Sequence, residues 1–129
     1  MDGKVLLDTN IVIALFGGDA LVRKQISRIT EVFIPSIVLG ELYYGAFKSK
    51  LVQSNFDRLY ELTLHSTILP CDQSIAEVYG YIKNQLRAKG LPVPENDIWI
   101  AAIAMHHNLT LVTRDDHFQA IDDITIASW

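Results

Sequence analysis

The chain has 129 residues, 50% of them hydrophobic and 20% charged, with a formal net charge of −4. A chain of this size buries roughly two-thirds of its unfolded surface, so one compact domain over residues 1–129 is expected, and its acidic balance argues against a general nucleic-acid binder. The longest clean apolar run, Ile98 to Met105, is far short of the roughly 20 residues a membrane span needs, and the start of the chain lacks the pattern of a signal peptide. The single cysteine, Cys71, excludes an internal disulfide, fits a reducing cytoplasmic setting, and reads as a packing residue.

Lys4-Val5-Leu6-Leu7-Asp8-Thr9-Asn10 opens the chain with a short apolar run that ends on a carboxylate. Such a run predicts a strand buried on both faces, hence a parallel sheet covered by helices, with Asp8 at the edge where ligands bind. Thr9 and Asn10 are helix-capping types ahead of Ile11 to Phe16, and Gly17-Gly18 ends that helix. Asp19 caps a second short helix carrying Leu21, Val22, Ile26 and Ile29. Glu31 to Ile34 is the second strand, stopped by Pro35, and Ser36 caps a helix that includes Glu41. Asn55 to Leu64 is a further amphipathic helix, and Thr67 to Leu69 the third strand.

Asp72 caps the longest helix, which ends at Gly90, and Leu91 to Pro94 is a stiff connection. Asn96 caps a helix from Asp97 to about His107, closed by Asn108. Leu109 to Val112 is the fourth strand, Arg114 to Ala120 a loop or short helix, and Ile124 to Ile126 the fifth strand. Strands alternating with helices predict an α/β domain: five parallel strands, helices on both faces and the first strand in the middle.

Four acids then fall near one edge of that sheet: Asp8, Glu41, Asp97 and Asp115. Carboxylates gathered so closely repel unless a cation neutralises them, and hard oxygen ligands suit Mg2+ or Mn2+. Each acid also has an ordinary role available. Asp97 is equally a first-turn acid favoured by the helix dipole, Glu41 a solvated helix acid, and Asp115-Asp116 a plain turn. Asp8 is the strongest single case, because an acid ending a buried strand is costly without a partner.

These residues resemble the PIN-domain nucleases, and among them the VapC-type toxins of toxin–antitoxin pairs. The resemblance is carried by Leu7-Asp8-Thr9-Asn10, by Glu41-Leu42-Tyr43-Tyr44-Gly45 and by Pro94-Glu95-Asn96-Asp97-Ile98-Trp99-Ile100-Ala101-Ala102. Leu111-Val112-Thr113-Arg114-Asp115 with His117-Phe118 supplies its fourth part. It implies a PIN-like fold over the chain and a ribonuclease whose four acids, Asp8, Glu41, Asp97 and Asp115, hold Mg2+ or Mn2+. It also implies an RNA substrate, a cognate antitoxin and a homodimer. The fourth acid varies in the family, so Asp115 or Asp116 stays open.

Thr9, Asn10 and Thr113 are candidates to orient a carboxylate or a water; Asn96 more simply caps its helix. His117 reads as a loop residue anchored by Phe118 rather than a catalytic base, and His106-His107 as structural. Lys48, Lys50, Lys83, Arg87, Lys89 and Arg114 are candidate phosphate contacts. Tyr43, Tyr44 and Phe47 suggest a dimer or partner face. Two other classes compete. A phospho-receiver wants an acid pair at the first strand and a lysine after the fifth; only Asp72 matches. A non-catalytic binding module would use the acids to dock a partner arginine.

Overall fold

The computed structural model describes residues 3–129. Its five strands are β1 (Lys4–Leu7), β2 (Glu31–Pro35), β3 (Thr67–Leu69), β4 (Thr110–Val112) and β5 (Ile126–Ala127). They form one sheet in the order β3-β2-β1-β4-β5, and every pairing is parallel. Val5, Leu6 and Leu7 are wholly buried, as the unbroken apolar run predicts for a strand with neighbours above, below and on both sides. Leu6 pairs with Phe33 of β2 on one side and Leu111 of β4 on the other.

The order decides where a ligand can bind. From β1 the chain moves outward to β2 and β3, then returns past β1 to β4 and β5. With right-handed crossovers this puts α1 (Thr9–Phe16), α2 (Ala20–Ile26), α3 (Ser36–Lys48) and α4 (Val52–Leu64) on one face. It puts α5 (Gln73–Lys89) and α6 (Glu95–His107) on the other, and the winding reverses at the end of β1, where a parallel sheet of this kind offers its ligand crevice. A phospho-receiver has the different order 2-1-3-4-5, so this sheet rules that reading out. Asp72, its one matching residue, accepts the Ile75 N–H at 3.1 Å as an ordinary helix cap.

Several boundaries differ from the sequence expectation. Asp8 itself, rather than Thr9 or Asn10, caps α1: its Oδ1 accepts the Thr9 N–H at 2.8 Å. Ser36 and Asn96 are not caps but first-turn helical residues. Pro35 and Pro94 hold the cap positions, their rings holding φ near the value a helix entry needs. Helix α4 starts three residues before Asn55. Strand β5 is Ile126–Ala127 rather than Ile124–Ile126, because Asp123 turns with φ 64° and delays the ladder. Cys71 is exposed rather than packed. Gly90 and Asn108 close α5 and α6 in the left-handed conformation, as expected. Among the described residues, no helix is long and apolar enough to cross a membrane.

Candidate active site

Asp8 stands where β1 ends and α1 begins, and 5% of it is exposed. Its backbone N–H still donates to Val112 O at 3.0 Å, so the ladder to β4 continues to the residue that carries the carboxylate. Helix α1 holds both carboxylate oxygens, and the loop after β4 holds one of them as well. Oδ1 accepts from the Thr9 backbone at 2.8 Å, and Oδ2 accepts the Thr113 hydroxyl at 2.8 Å and Asn10 Nδ2 at 3.4 Å. Thr113, just past β4, is 2% exposed, and its hydroxyl oxygen also accepts the Asp115 N–H at 3.0 Å. Asn10 closes the circuit, its Oδ1 accepting the Arg114 N–H at 3.2 Å. The loop carrying Asp115 is therefore tied to Asp8 through Thr113 and Asn10.

The other acids arrive from separate helices. Glu41, on α3, accepts the Thr9 hydroxyl at 3.1 Å through Oε1. Asp97 sits in the first turn of α6, where the helix N-terminus favours its charge. Asp115 caps a short 3-10 turn over Asp116–Ala120 by accepting the His117 N–H at 2.9 Å. Phe118, wholly buried, anchors that turn in the core. Asp116, the neighbouring acid, is exposed on the outside of the turn.

The acids strain one another electrostatically. Burial pushes the Asp8 carboxyl above the ordinary aspartate value against its hydrogen bonds, and the Asp115 charge adds to the rise. Asp97 is raised by burial first, then by Asp8 and Asp115. Glu41, though its side chain reaches solvent, is raised by partial burial and then by Asp8 and Asp97. A pocket that makes three carboxylates harder to ionise is one that a divalent cation relieves, and oxygen donors of this kind fit Mg2+ or Mn2+. Among the described residues, Asp97, Asp115 and His117 form a group whose ligand atoms all lie within 4.8 Å of one another.

His117 is the residue the sequence undervalued. Its Nδ1 lies 3.1 Å from Asp97 Oδ2 and 3.0 Å from Asp115 Oδ1, while about half of its side chain is exposed. The hydrogen bond with Asp97, and then the Asp115 charge, raise its pKa above the ordinary histidine value. The available signal was the Asp-x-His spacing on a tight turn, which returns the imidazole to the carboxylate two residues earlier.

The candidate phosphate contacts separate into two groups. Arg114 is exposed but already partnered: Nη2 meets Asp19 Oδ2 at 2.9 Å and Nε donates to Trp129 O at 2.7 Å. Lys83 pairs with Glu95 and Lys89 with Asp122, each at 2.5 Å. Lys48 lies 4.5 Å above the Tyr44 ring, and Lys50 and Arg87 are exposed.

A strand-end acid joined by acids from three further elements at a winding reversal marks an α/β protein with an acidic candidate site at the carboxyl edge of its parallel sheet. The chain belongs to the PIN-domain family, whose profile matches residues 5–124. It is similar to Ribonuclease VapC2 of Haemophilus influenzae strain Rd, 34% identical over 131 residues covering 98% of each chain. It is also similar to Ribonuclease VapC1 of Haemophilus influenzae strain R2866, 30% identical over 129 residues covering 96% of each. Among solved structures, VapBC2 from Rickettsia felis, bound to a DNA fragment from its promoter, superposes with a TM-score of 0.90. That match is 30% identical and covers 98% of both chains.

Proposed function

We propose that this chain is an endoribonuclease that uses Mg2+ or Mn2+, acts as one PIN domain, and serves as the toxin of a toxin–antitoxin pair. The observation that carries the proposal is the convergence of Asp8, Glu41, Asp97 and Asp115 on one crevice, where burial and mutual repulsion raise three of them. The similarity to proteins named ribonuclease VapC supplies the substrate class. Asp8, Asp97 and Asp115 would hold the ion, with Glu41 beside them. When bound, such an ion neutralises charge on a phosphodiester oxygen and lowers the pKa of a coordinated water.

The chain's own residues set the conditions for that chemistry. Thr9 and Thr113 hydrogen-bond the carboxylates of Asp8 and Glu41, which orients them toward an incoming cation. Of the candidate phosphate contacts, Lys50 and Arg87 are exposed and Lys48 is exposed over the Tyr44 ring, so these three are the proposed contacts to backbone phosphates. Attack by water with departure of the 3′-oxygen leaves a 5′-phosphate and a 3′-hydroxyl, whereas attack by the RNA 2′-hydroxyl leaves a cyclic phosphate.

A protein partner is supported by the exposed apolar side chains Ile13, Tyr44 and Phe47. Ile13 lines a depression with Phe16, Leu42, Ala46 and Leu59, and Glu41 is on its wall; Tyr44 and Phe47 belong to α3, the helix that supplies Leu42 and Ala46. A cognate antitoxin is the proposed occupant, in keeping with the similarity to VapBC complexes, and a homodimer is proposed with it. The deciding experiment is RNA cleavage with and without EDTA, wild type beside Asp8→Asn, with end-group analysis. Loss of cleavage in EDTA and in the variant, with 5′-phosphate ends, is the expected result; cleavage that survives EDTA, or cyclic ends, refutes it.

A further inference from the structure

The acids account for oxygen donors only, yet the tightest group in the crevice contains a nitrogen. His117 Nδ1 faces two carboxylate oxygens at once, Asp97 Oδ2 at 3.1 Å and Asp115 Oδ1 at 3.0 Å. One Nδ1–H carries one proton and cannot point at both anions, and Asp115 Oδ1 is already served by the His117 backbone N–H at 2.9 Å. A cation among the three atoms satisfies all of them together. The two spacings from Nδ1 suit that role, since donors about 2.1 Å from an octahedral ion lie about 3.0 Å apart along an edge, and all three ligand atoms lie within 4.8 Å of one another.

We infer that His117 is a ligand of the metal site through Nδ1, and that this nitrogen donor biases the site toward Mn2+ over Mg2+. The inference rests on the proposed reading of the crevice as a metal centre. Imidazole suits transition ions, whereas Mg2+ prefers oxygen and gives up its waters reluctantly. The turn that carries His117 is built to present it. Asp115 caps the turn, Phe118 is buried, and about half of the His117 side chain is exposed to an ion entering from solvent.

The test reads the ligand directly. Wild-type protein loaded with Mn2+ is examined by pulsed electron paramagnetic resonance, unlabelled and with 15N-histidine, beside His117→Ala and His117→Gln. Mn2+ and Mg2+ affinities are measured by calorimetry on the same proteins. The inference expects nitrogen modulation that changes on 15N-histidine labelling and vanishes in both variants. It also expects a Mn2+ affinity lowered at least about tenfold, the loss typical even of an outer partner, with Mg2+ affinity lowered less. Mn2+ binding without nitrogen modulation, and with affinities unchanged in the variants, makes His117 only a hydrogen-bond donor; it overturns this inference and leaves the acid site standing. Mg2+ binding by the wild type without Mn2+ binding overturns this inference alone, and absence of binding of either ion overturns both. The labelled wild type keeps the test valid even if a variant fails to fold.

Discussion

Thr113→Val is the most informative single change outside the acids, because it keeps the side-chain shape and removes one hydroxyl. That hydroxyl donates to Asp8 Oδ2 at 2.8 Å and accepts the Asp115 N–H at 3.0 Å, and the residue is 2% exposed. A hydrogen bond to a buried charged group contributes about 1.5–3 kcal/mol, and its loss leaves Oδ2 with only the long contact from Asn10 at 3.4 Å. Because Thr113 favours the ionised form of Asp8, its removal pushes the Asp8 carboxyl further up. The deficit should therefore be larger at neutral pH than in acid, where the carboxyl is protonated. For a chain of this length a loss of about 2 kcal/mol lowers the thermal midpoint by roughly 6–10 °C. Freeing Asp8 and the Asp115 loop together should also weaken Mn2+ binding by about 10–100-fold. Urea unfolding in EDTA, repeated in acid and joined to a Mn2+ titration, measures both effects, with Thr113→Ser as the variant that restores them. Equal stability in EDTA with unchanged Mn2+ affinity would refute the view that Thr113 couples strand to loop.

Phe118→Ala should cost about 3–5 kcal/mol, as for a fully buried aromatic, and should reduce Mn2+ affinity by loosening the turn that carries Asp115 and His117; intact metal binding would show the turn to be held by other contacts. Arg114→Ala should lower the thermal midpoint by a few degrees, since it severs the ties to Asp19 and Trp129. Unchanged stability with lost RNA affinity would instead put that guanidinium on the substrate. In EDTA the fold should be more stable near about pH 5.5 than about pH 7.5. Burial raises Asp8, Glu41 and Asp97, so the penalty for ionising them grows as pH climbs from their unfolded values through the folded ones. His117, raised chiefly by its hydrogen bond with Asp97, adds stability that is full below its unfolded value near about 6.5 and lost as pH rises through the folded one. His107, lowered by burial, opposes the trend but is one group against four. A midpoint that climbs between those pH values would contradict this balance.

Local chemistry was legible in the sequence where one residue type has one physical use. The unbroken Val5-Leu6-Leu7 run demanded burial on both faces, hence a central parallel strand, and Gly90 and Asn108 marked helix ends because those residues adopt positive φ most readily. An acid at the end of such a strand was already anomalous, which is why Asp8 stood out before any contact was known. What the sequence could not rank was a choice among equivalent local donors. Asp8 rather than Thr9 caps α1, and Pro35 and Pro94 rather than Ser36 and Asn96 precede their helices, because the approach of the chain from the sheet sets the cap geometry. Only the tertiary structure placed Arg114 against Asp19 and Trp129, residues 95 and 15 positions away. It alone brought His117 against Asp97, 20 residues apart, since that meeting depends on how α6 and the turn after β4 pack around the end of β1. Periodicity and composition describe a residue's neighbours along the chain; charge repulsion, donor geometry and access to a cation depend on neighbours in space.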